Sequence, residues 1–234
     1  MKLLVVSDLH LCDRRNNDLS DEERLEKLGR FIRESGTEAV LNLGDTVSRP
    51  PLLIEKFADI EEGFKPYLKW RQTVALPFAE CAIARESGFF SKIMGQECDQ
   101  LFELDPQTSI ITLLQLEPYR LSAAQEEFVL HALERSHGKT VVAGTHVPFA
   151  GSCSRQGDFF LKVSDDFREK LITFPGRIIW CGGHFHWDQE PPETTGSLTA
   201  LYPSRFRISG RNDYSYTTLI DTVSGELTVN FHDF

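Results

Sequence analysis

Six side chains that can bind metal ions follow short apolar runs of the chain, at points where buried strands are predicted to end. Two are aspartates and four are histidines, in the order Asp8, His10, Asp45, His146, His184 and His186. Carboxylate oxygens mixed with imidazole nitrogens suit Mn, Fe or Zn rather than Ca, which prefers oxygen ligands alone. A carboxylate can also bridge two cations, so this set of side chains indicates a centre with a pair of divalent metal ions.

Two metal ions about 3.5–4 Å apart can clamp a phosphoryl group and lower the pKa of a water molecule between them. Taken alone, Asp8-Leu9-His10 and Gly44-Asp45 are weak signals, because aspartate in such places often caps a helix or forms a turn. Gly183-His184-Phe185-His186 is more specific, since two imidazoles after a buried strand have no evident packing role. All the motifs together, each after a strand, indicate a metal centre.

The elements that must position these side chains are alternating strands and helices. Strands are predicted at residues 3–6, 39–43, 140–143 and 177–181, each ending shortly before a candidate ligand. Helices are predicted after the capping boxes at residues 20–23 and 122–125, and after Asp165-Asp166. A hairpin is predicted near the C-terminus, with its turn at residues 222–225. Helices alternating with apolar strands predict an α/β fold with helices packed outside the sheets.

Residues 50–102 are harder to interpret. Helical spacing is present at residues 53–68, with Gly63 and Pro66 as interruptions, and residues 79–94 have the composition of a second helix interrupted at Gly88. Nothing in this segment indicates a linker between two domains. We therefore expect a single domain over residues 1–234, with an atypical segment at about residues 50–102.

The composition limits the classes of partner. The net charge of −10 argues against nucleic acid as the main partner, although bound cations would still attract a phosphate ester. No apolar run approaches the roughly 20 residues of a membrane span. The five cysteines form no Cys-x-x-Cys pair, so free thiols in a reducing cytoplasm are expected.

These motifs resemble those of the calcineurin-like metallophosphoesterases, and most closely those of the bacterial cyclic-nucleotide-phosphodiesterase-like branch. The family signature runs Asp-x-His, Gly-Asp, Gly-Asn-His-Asp/Glu, His before a turn, and Gly-His-x-His. Four of the five motifs are matched here, by Asp8-Leu9-His10, Gly44-Asp45, His146-Val147-Pro148 and Gly183-His184-Phe185-His186. Two further segments are similar to the family, Leu121–Gln125 and Tyr202–Arg205.

The resemblance implies a four-layer α/β/β/α sandwich of two mixed sheets. It also implies that Asp8, His10 and His186 bind a first metal ion, that Asp45 bridges, and that His146 and His184 bind the second. The expected activity is hydrolysis of phosphodiester or phosphomonoester bonds by a metal-bridging hydroxide. The substrate would be a small phosphate ester or a nucleotide.

One motif of the family is absent, because the sequence contains no Asn-His pair. In the family the Asn completes the second metal site. Two segments compete for its place. If residues 74–77 form the preceding strand, Phe78-Ala79-Glu80-Cys81 takes the position of the motif, and spacing from Asp45 favours this register. Gly95-Gln96-Glu97-Cys98 is the other candidate. The absence also leaves open a second function, that of a degenerate metal-binding module without catalysis.

Overall fold

The computed structural model of the chain describes residues 1–13, 19–48, 59–83, 86–97, 99–115, 119–149, 160–184, 191–202 and 215–232. The elements within these residues are, in chain order, β1 Lys2–Val6, α1 Asp21–Glu34, β2 Ala39–Asn42, α2 Ile60–Val74, β3 Phe78–Glu80, β4 Ala82–Ile83, α3 Phe90–Met94, β5 Gln100–Asp105, β6 Thr108–Thr112, β7 Leu114–Gln115, α4 Ala123–Arg135, β8 Thr140–Thr145, α5 Asp165–Ile172, β9 Arg177–Gly182, β10 Glu193–Thr195, β11 Leu198–Leu201, β12 Ser215–Asp221 and β13 Leu227–His232.

Two mixed sheets form the centre of the molecule. The five-stranded sheet has the order β13-β12-β1-β2-β3, and the six-stranded sheet has the order β10-β11-β9-β8-β6-β5. The strands β1, β2 and β3 run parallel, as do β6, β8 and β9. The remaining short pair, β4 with β7, is also parallel.

Alternating side chains along the strands produce three apolar layers. Leu4 and other side chains on one face of β1 and β2 pack against α1 and α2. Leu3, on the opposite face, packs between the two sheets against Val142 of β8. Val141, the neighbour of Val142, faces outward and packs against α4 and α5. The chain is therefore an α/β/β/α sandwich of two mixed sheets, which confirms the fold class expected from the sequence.

The predicted capping boxes are present. The Ser20 hydroxyl accepts from the Glu23 amide, and the Glu23 carboxylate accepts from the Ser20 amide at 2.8 Å, so α1 begins at Asp21. Ser122 and Gln125 form the same reciprocal pair at the start of α4. The C-terminal hairpin is also confirmed, with β12 paired to β13.

The segment at residues 50–102 differs from its prediction. Val74 ends α2 and is followed by Ala75 at φ 56°, so residues 74–77 are not a strand. The helix expected at residues 79–94 is wrong for its first part, because Phe78–Glu80 forms β3 and Ala82–Ile83 forms β4, whereas Phe90–Met94 is α-helical. Both faces of β3 are buried, so its sequence has no polar alternation that would distinguish a strand from a helix.

Helix α2 continues through both of its predicted interruptions. Gly63 allows a close approach, since a Cβ atom there would lie 2.5 Å from Cγ1 of Val47. Pro66 also lies inside the helix. Among the described residues, no helix is both long enough and apolar enough to cross a membrane.

Candidate metal centre

The candidate ligands lie on loops at the carboxyl ends of four parallel strands. Asp8 follows β1, Asp45 follows β2, His146 follows β8 and His184 follows β9. Backbone hydrogen bonds join the loops in pairs, from the Asp8 amide to the Gly44 carbonyl at 3.0 Å and from the Gly183 amide to the His146 carbonyl at 2.8 Å. The loops after parallel strands lie at the same edge of a sheet. Each of the two sheets therefore supplies two ligand-bearing loops to the candidate metal centre.

The backbone of these loops is unusual. Asp8, His10, Asp45 and His184 have φ values of 55°, 46°, 53° and 76°, in the left-handed region that non-glycine residues seldom adopt. Such a conformation costs on the order of 1 kcal/mol or more for each residue. Strain of this kind concentrates at functional sites, where it aims side chains in directions that ordinary backbone does not allow.

Three of the predicted ligands form a compact group. Ligand atoms of Asp8, Asp45 and His146 all lie within 4.8 Å of one another. His146 Nε2 is 3.9 Å from Asp8 Oδ1 and 3.9 Å from Asp45 Oδ2, which is too far for hydrogen bonds. All three residues are buried. Two buried carboxylates so close together repel each other and are poorly solvated, and a divalent cation among them would offset both penalties.

The histidine of this group is held by the backbone. His146 Nδ1 is 3.2 Å from the Leu43 carbonyl oxygen. Since a carbonyl can only accept, this hydrogen bond is donated by Nδ1, and Nε2 is directed toward Asp8 and Asp45. Metal-binding histidines commonly donate their other ring N–H to a backbone carbonyl in this way. The donor set therefore fits a divalent cation.

Asp45 lies between two imidazoles. Its Oδ1 atom is 3.8 Å from Nδ1 of His10, and its Oδ2 atom is 3.9 Å from Nε2 of His146. The two carboxylate oxygens therefore face different histidines. A carboxylate placed in this way can bridge two cations.

His184 adjoins the same group. Its Nδ1 atom is 3.2 Å from His146 Nε2, and its Nε2 atom is 3.3 Å from the Tyr119 hydroxyl. The His184 amide donates to Asp8 Oδ2 at 3.0 Å. Five of the six predicted ligands are thus brought to one place, and His186 lies outside the described residues.

Gly183, directly after β9, lies close to the loop after β1. A Cβ atom at this position would overlap the Ser7 hydroxyl and would lie 2.5 Å from Asp8 Oδ2. The Ser7 hydroxyl itself donates to that same carboxylate oxygen. Any side chain at residue 183 would therefore crowd both Ser7 and Asp8.

Sequence reasoning missed two residues that support the centre. Arg24 is buried on α1 and donates from Nη2 to the Leu9 carbonyl at 2.8 Å, within the Asp8–His10 loop. Burial lowers the pKa of its guanidinium. Its position beside Leu25 on the buried face of α1 is a signal that could have identified it. Tyr119 had no such signal, because its contact with His184 spans 65 residues of sequence.

Neither register for the absent motif brings a substitute to the centre. The Glu80 carboxylate is directed toward α2, where its Oε1 accepts from Tyr67 at 2.8 Å. Gln96 donates to the Phe78 carbonyl at 2.8 Å, at the start of β3 and away from Asp45. The first expectation is wrong because residues 78–80 form β3 itself instead of the loop after it. The second is wrong because Gln96 follows α3 and its side-chain amide binds the start of β3.

After β3 the chain supplies apolar side chains. Ile83 lies beside Gly44, since a Cβ atom on Gly44 would be 3.5 Å from Cγ2 of Ile83 and 3.7 Å from Nδ1 of His146. Residues 84–85 lie outside the described residues. Among the described residues after β3, an apolar side chain therefore stands next to the Gly44-Asp45 turn.

No family model and no curated protein matches the chain. Solved structures with the same fold do match it. A dimetal phosphatase from Danio rerio aligns with a TM-score of 0.67 and 10% identity over 98% of each chain. A second structure aligns at 0.62 with 12% identity over 98% of each chain.

A third structure, GAP50, the anchor in the inner membrane complex of Plasmodium, aligns at 0.50 with 10% identity over 100% of this chain and 88% of its own. Identities this low show the fold alone. The chain has a metallophosphoesterase-like fold, with an Asp8, Asp45 and His146 group that could hold a metal ion.

Proposed function

We propose that this chain is a metal-dependent phosphoesterase that hydrolyses phosphodiester bonds, and phosphomonoester bonds as a second class. The observation that carries the proposal is the position of Asp45, whose two carboxylate oxygens face His10 on one side and His146 on the other. A bridging carboxylate between two imidazole-bearing positions suits a pair of divalent cations, Mn, Fe or Zn.

The residues that would hold the cations follow from this arrangement. Asp8, His10 and His186 would serve the first position, His146 and His184 the second, and Asp45 both. When bound, two such ions supply Lewis acidity toward a phosphoryl oxygen and an activated water molecule as nucleophile.

The protein's own groups prepare the site. The Leu43 carbonyl holds the proton of His146 on Nδ1, so that Nε2 faces the carboxylates. Ser7 and the His184 amide both donate to Asp8 Oδ2 and fix the orientation of that carboxylate. The Tyr119 hydroxyl contacts His184 and orients its ring. Fixed ligands of this kind avoid reorganisation during the reaction.

The substrate class follows from charge as well as from the site. A net charge of −10 disfavours long polyanions, so the proposed substrate is a small phosphate ester or a nucleotide rather than nucleic acid. The Danio rerio structure, a dimetal phosphatase, supports the reaction class. A cytoplasmic location remains part of the proposal and rests on the cysteine content alone.

The test compares bis(p-nitrophenyl) phosphate with p-nitrophenyl phosphate in one preparation reconstituted with Mn²⁺. We expect diester hydrolysis that disappears with a chelator and returns with Mn²⁺. Elemental analysis of the same sample should find two tightly bound ions per chain. Absence of hydrolysis with Mn²⁺, Fe²⁺ and Zn²⁺ alike would reject the proposed activity.

A second candidate function is that of a metal-binding module without catalysis. The observation in its favour is Ile83 beside the Gly44-Asp45 turn, together with the missing Asn-His pair. GAP50, an anchor in Plasmodium, is one of the structural neighbours. One bound ion per chain, with no turnover of either ester, would favour this function over hydrolysis.

A further inference from the structure

A buried polar network lies beneath the turn that carries Asp45. It joins β2, β3 and α2 through Asn42, Thr46, Tyr67 and Glu80, all of which are at most 2% exposed. Arg71 closes it at the edge, with 19% of its side chain exposed. Polar groups buried to this extent are retained only when they are hydrogen-bonded to one another.

Asn42 connects the network to the turn. Its Nδ2 atom donates to the Thr46 hydroxyl at 2.8 Å and to the Tyr67 hydroxyl at 3.1 Å. Its Oδ1 atom accepts from the Gly44 amide at 3.2 Å. One side chain thus binds the backbone immediately before Asp45 and the side chain immediately after it.

Tyr67 and Glu80 hold Asn42 from below. The Tyr67 hydroxyl accepts from Asn42 and donates to Glu80 Oε1 at 2.8 Å, and Arg71 Nη1 is 3.5 Å from the same oxygen. Glu80 is the register partner of Asn42 across β2 and β3. The network therefore fixes Asn42 against both the neighbouring strand and a helix.

Burying these polar groups in the core costs free energy of solvation. Burial raises the pKa of Glu80 to about 7 and raises that of Tyr67 well above its ordinary value. Apolar residues of the same volume would often stabilise the fold as much or more. The network ends on a turn in which Gly44 has φ 96° and Asp45 has φ 53°. Unlike apolar residues of the same volume, the network fixes the geometry of that turn.

We propose that Tyr67 and Glu80 are positioning residues of the metal centre. They hold Asn42 so that its Oδ1 atom fixes the left-handed Gly44-Asp45 turn, which directs the Asp45 carboxylate between His10 and His146. The inference rests on the proposed function in assigning metal binding to Asp45. The network itself lies outside the candidate ligands and does not touch substrate.

Tyr67→Phe is the sharpest test, because it removes one hydroxyl and leaves the packing of the ring unchanged. We expect the affinity for Mn²⁺, measured by calorimetry, to fall about 10-fold, the low end of the loss seen when direct outer partners of metal ligands are removed, because Tyr67 acts through Asn42. Glu80→Leu removes the acceptor of the Tyr67 hydroxyl and should lower the Mn²⁺ affinity in the same direction as Tyr67→Phe. The conservative Glu80→Gln keeps an acceptor and should restore most of that affinity.

Thr108→Val is the matched control. Thr108 and Thr222 form a buried hydroxyl pair at 2.8 Å, at the opposite end of the sheets from the centre. This variant should lower the unfolding temperature as Tyr67→Phe does, because each loses a buried hydrogen bond. It should leave the affinity for Mn²⁺ unchanged.

A second readout does not depend on metal. Hydrogen exchange of the Gly44 amide in metal-free protein should be faster in Tyr67→Phe than in Thr108→Val, since Asn42 would hold that amide less firmly. If the unmodified protein binds no Mn²⁺, the proposed function fails, while faster exchange would still support the network's hold on the turn. Exchange and affinity equal to those of the Thr108→Val control would overturn the positioning role.

Discussion

The two sheets contribute to the centre in different ways. The five-stranded sheet supplies the carboxylates, and its Asp45 turn is held from within that sheet and its own helix α2 by Asn42 and Tyr67. The six-stranded sheet supplies the imidazoles of His146 and His184, which are held partly across the interface. His146 binds the Leu43 carbonyl and the His184 amide binds Asp8, both on the other sheet.

This difference predicts how substitutions in each region should affect the metal centre. The Asp45 turn has its own support, so changes in the network beneath it should alter geometry and affinity while the fold survives. The imidazole loops depend on contact between the sheets, so a change in sheet separation should affect both ligand sets at once. The variants below test this contrast.

The largest effect is expected from Asp45→Asn. The amide keeps the shape of the side chain but removes the charge that two cations would share, and such charge stabilisation is worth several kcal/mol. The predicted loss of turnover is on the order of a thousandfold or more, measured as steady-state hydrolysis of bis(p-nitrophenyl) phosphate with Mn²⁺. Retained activity in a folded variant would remove Asp45 from its bridging role.

The next largest effect is a pH dependence of the free energy of unfolding that comes from Glu80 in the five-stranded sheet. Burial raises the pKa of Glu80 from 4.5 to about 7, so the folded protein binds more protons than the unfolded chain between these values. Stability from this residue is therefore full below pH 4.5 and declines as the pH rises to about 7, by about 3 kcal/mol. Urea unfolding from pH 5 to 8 should show this decline, and Glu80→Gln should reduce it. An equal decline in both proteins would assign it to other groups.

Gly183→Ala tests the contact between the sheets. The added methyl group would overlap the Ser7 hydroxyl and crowd Asp8, so it should separate the two ligand sets and weaken Mn²⁺ binding. Overpacking of this kind destabilises a protein by about 1–3 kcal/mol. Gly88→Ala is the control, because a Cβ atom there meets nothing within 4 Å. Unchanged Mn²⁺ affinity in Gly183→Ala would mean that the close contact at residue 183 is not needed for metal binding.

The smallest effect is expected at the helix caps. Ser122→Ala removes the capping box of α4 and should cost about 1 kcal/mol, or about 2–4 °C in unfolding temperature. Ser20→Ala removes the same motif from α1, which carries Arg24 to the Leu9 carbonyl. Only the α1 variant should also weaken Mn²⁺ binding. Equal Mn²⁺ affinities would show that Arg24 holds its loop independently of the cap.

Much of the fold could be predicted from the sequence because its signals are local. The capping boxes at Ser20 and Ser122 identified two helices, and apolar runs identified the four strands that precede Asp8, Asp45, His146 and His184. The hairpin of β5 and β6 was missed, although Asp105 and Gln107 form its turn through a hydrogen bond of 2.7 Å. The strand β3 was misread because burial on both faces removes its periodicity.

The candidate ligands were predictable as types and positions, but their support was not. Tyr67 binds Asn42 across 25 residues, and Tyr119 binds His184 across 65. These contacts come from the packing of a helix on a sheet and of one loop on another, which no local pattern encodes. The same applies to Glu80, which belongs to the segment predicted to replace the absent motif and which the fold directs toward α2.

The left-handed residues Asp8, His10, Asp45 and His184 bear on the thermodynamics of cation binding. Their strain belongs to the folded chain itself, so it is met during folding rather than when an ion arrives. Binding should then require little ordering of the loops, with a small change in heat capacity and a favourable entropy from released water. The same strain should make these loops open more readily in the metal-free protein than in the metal-bound protein.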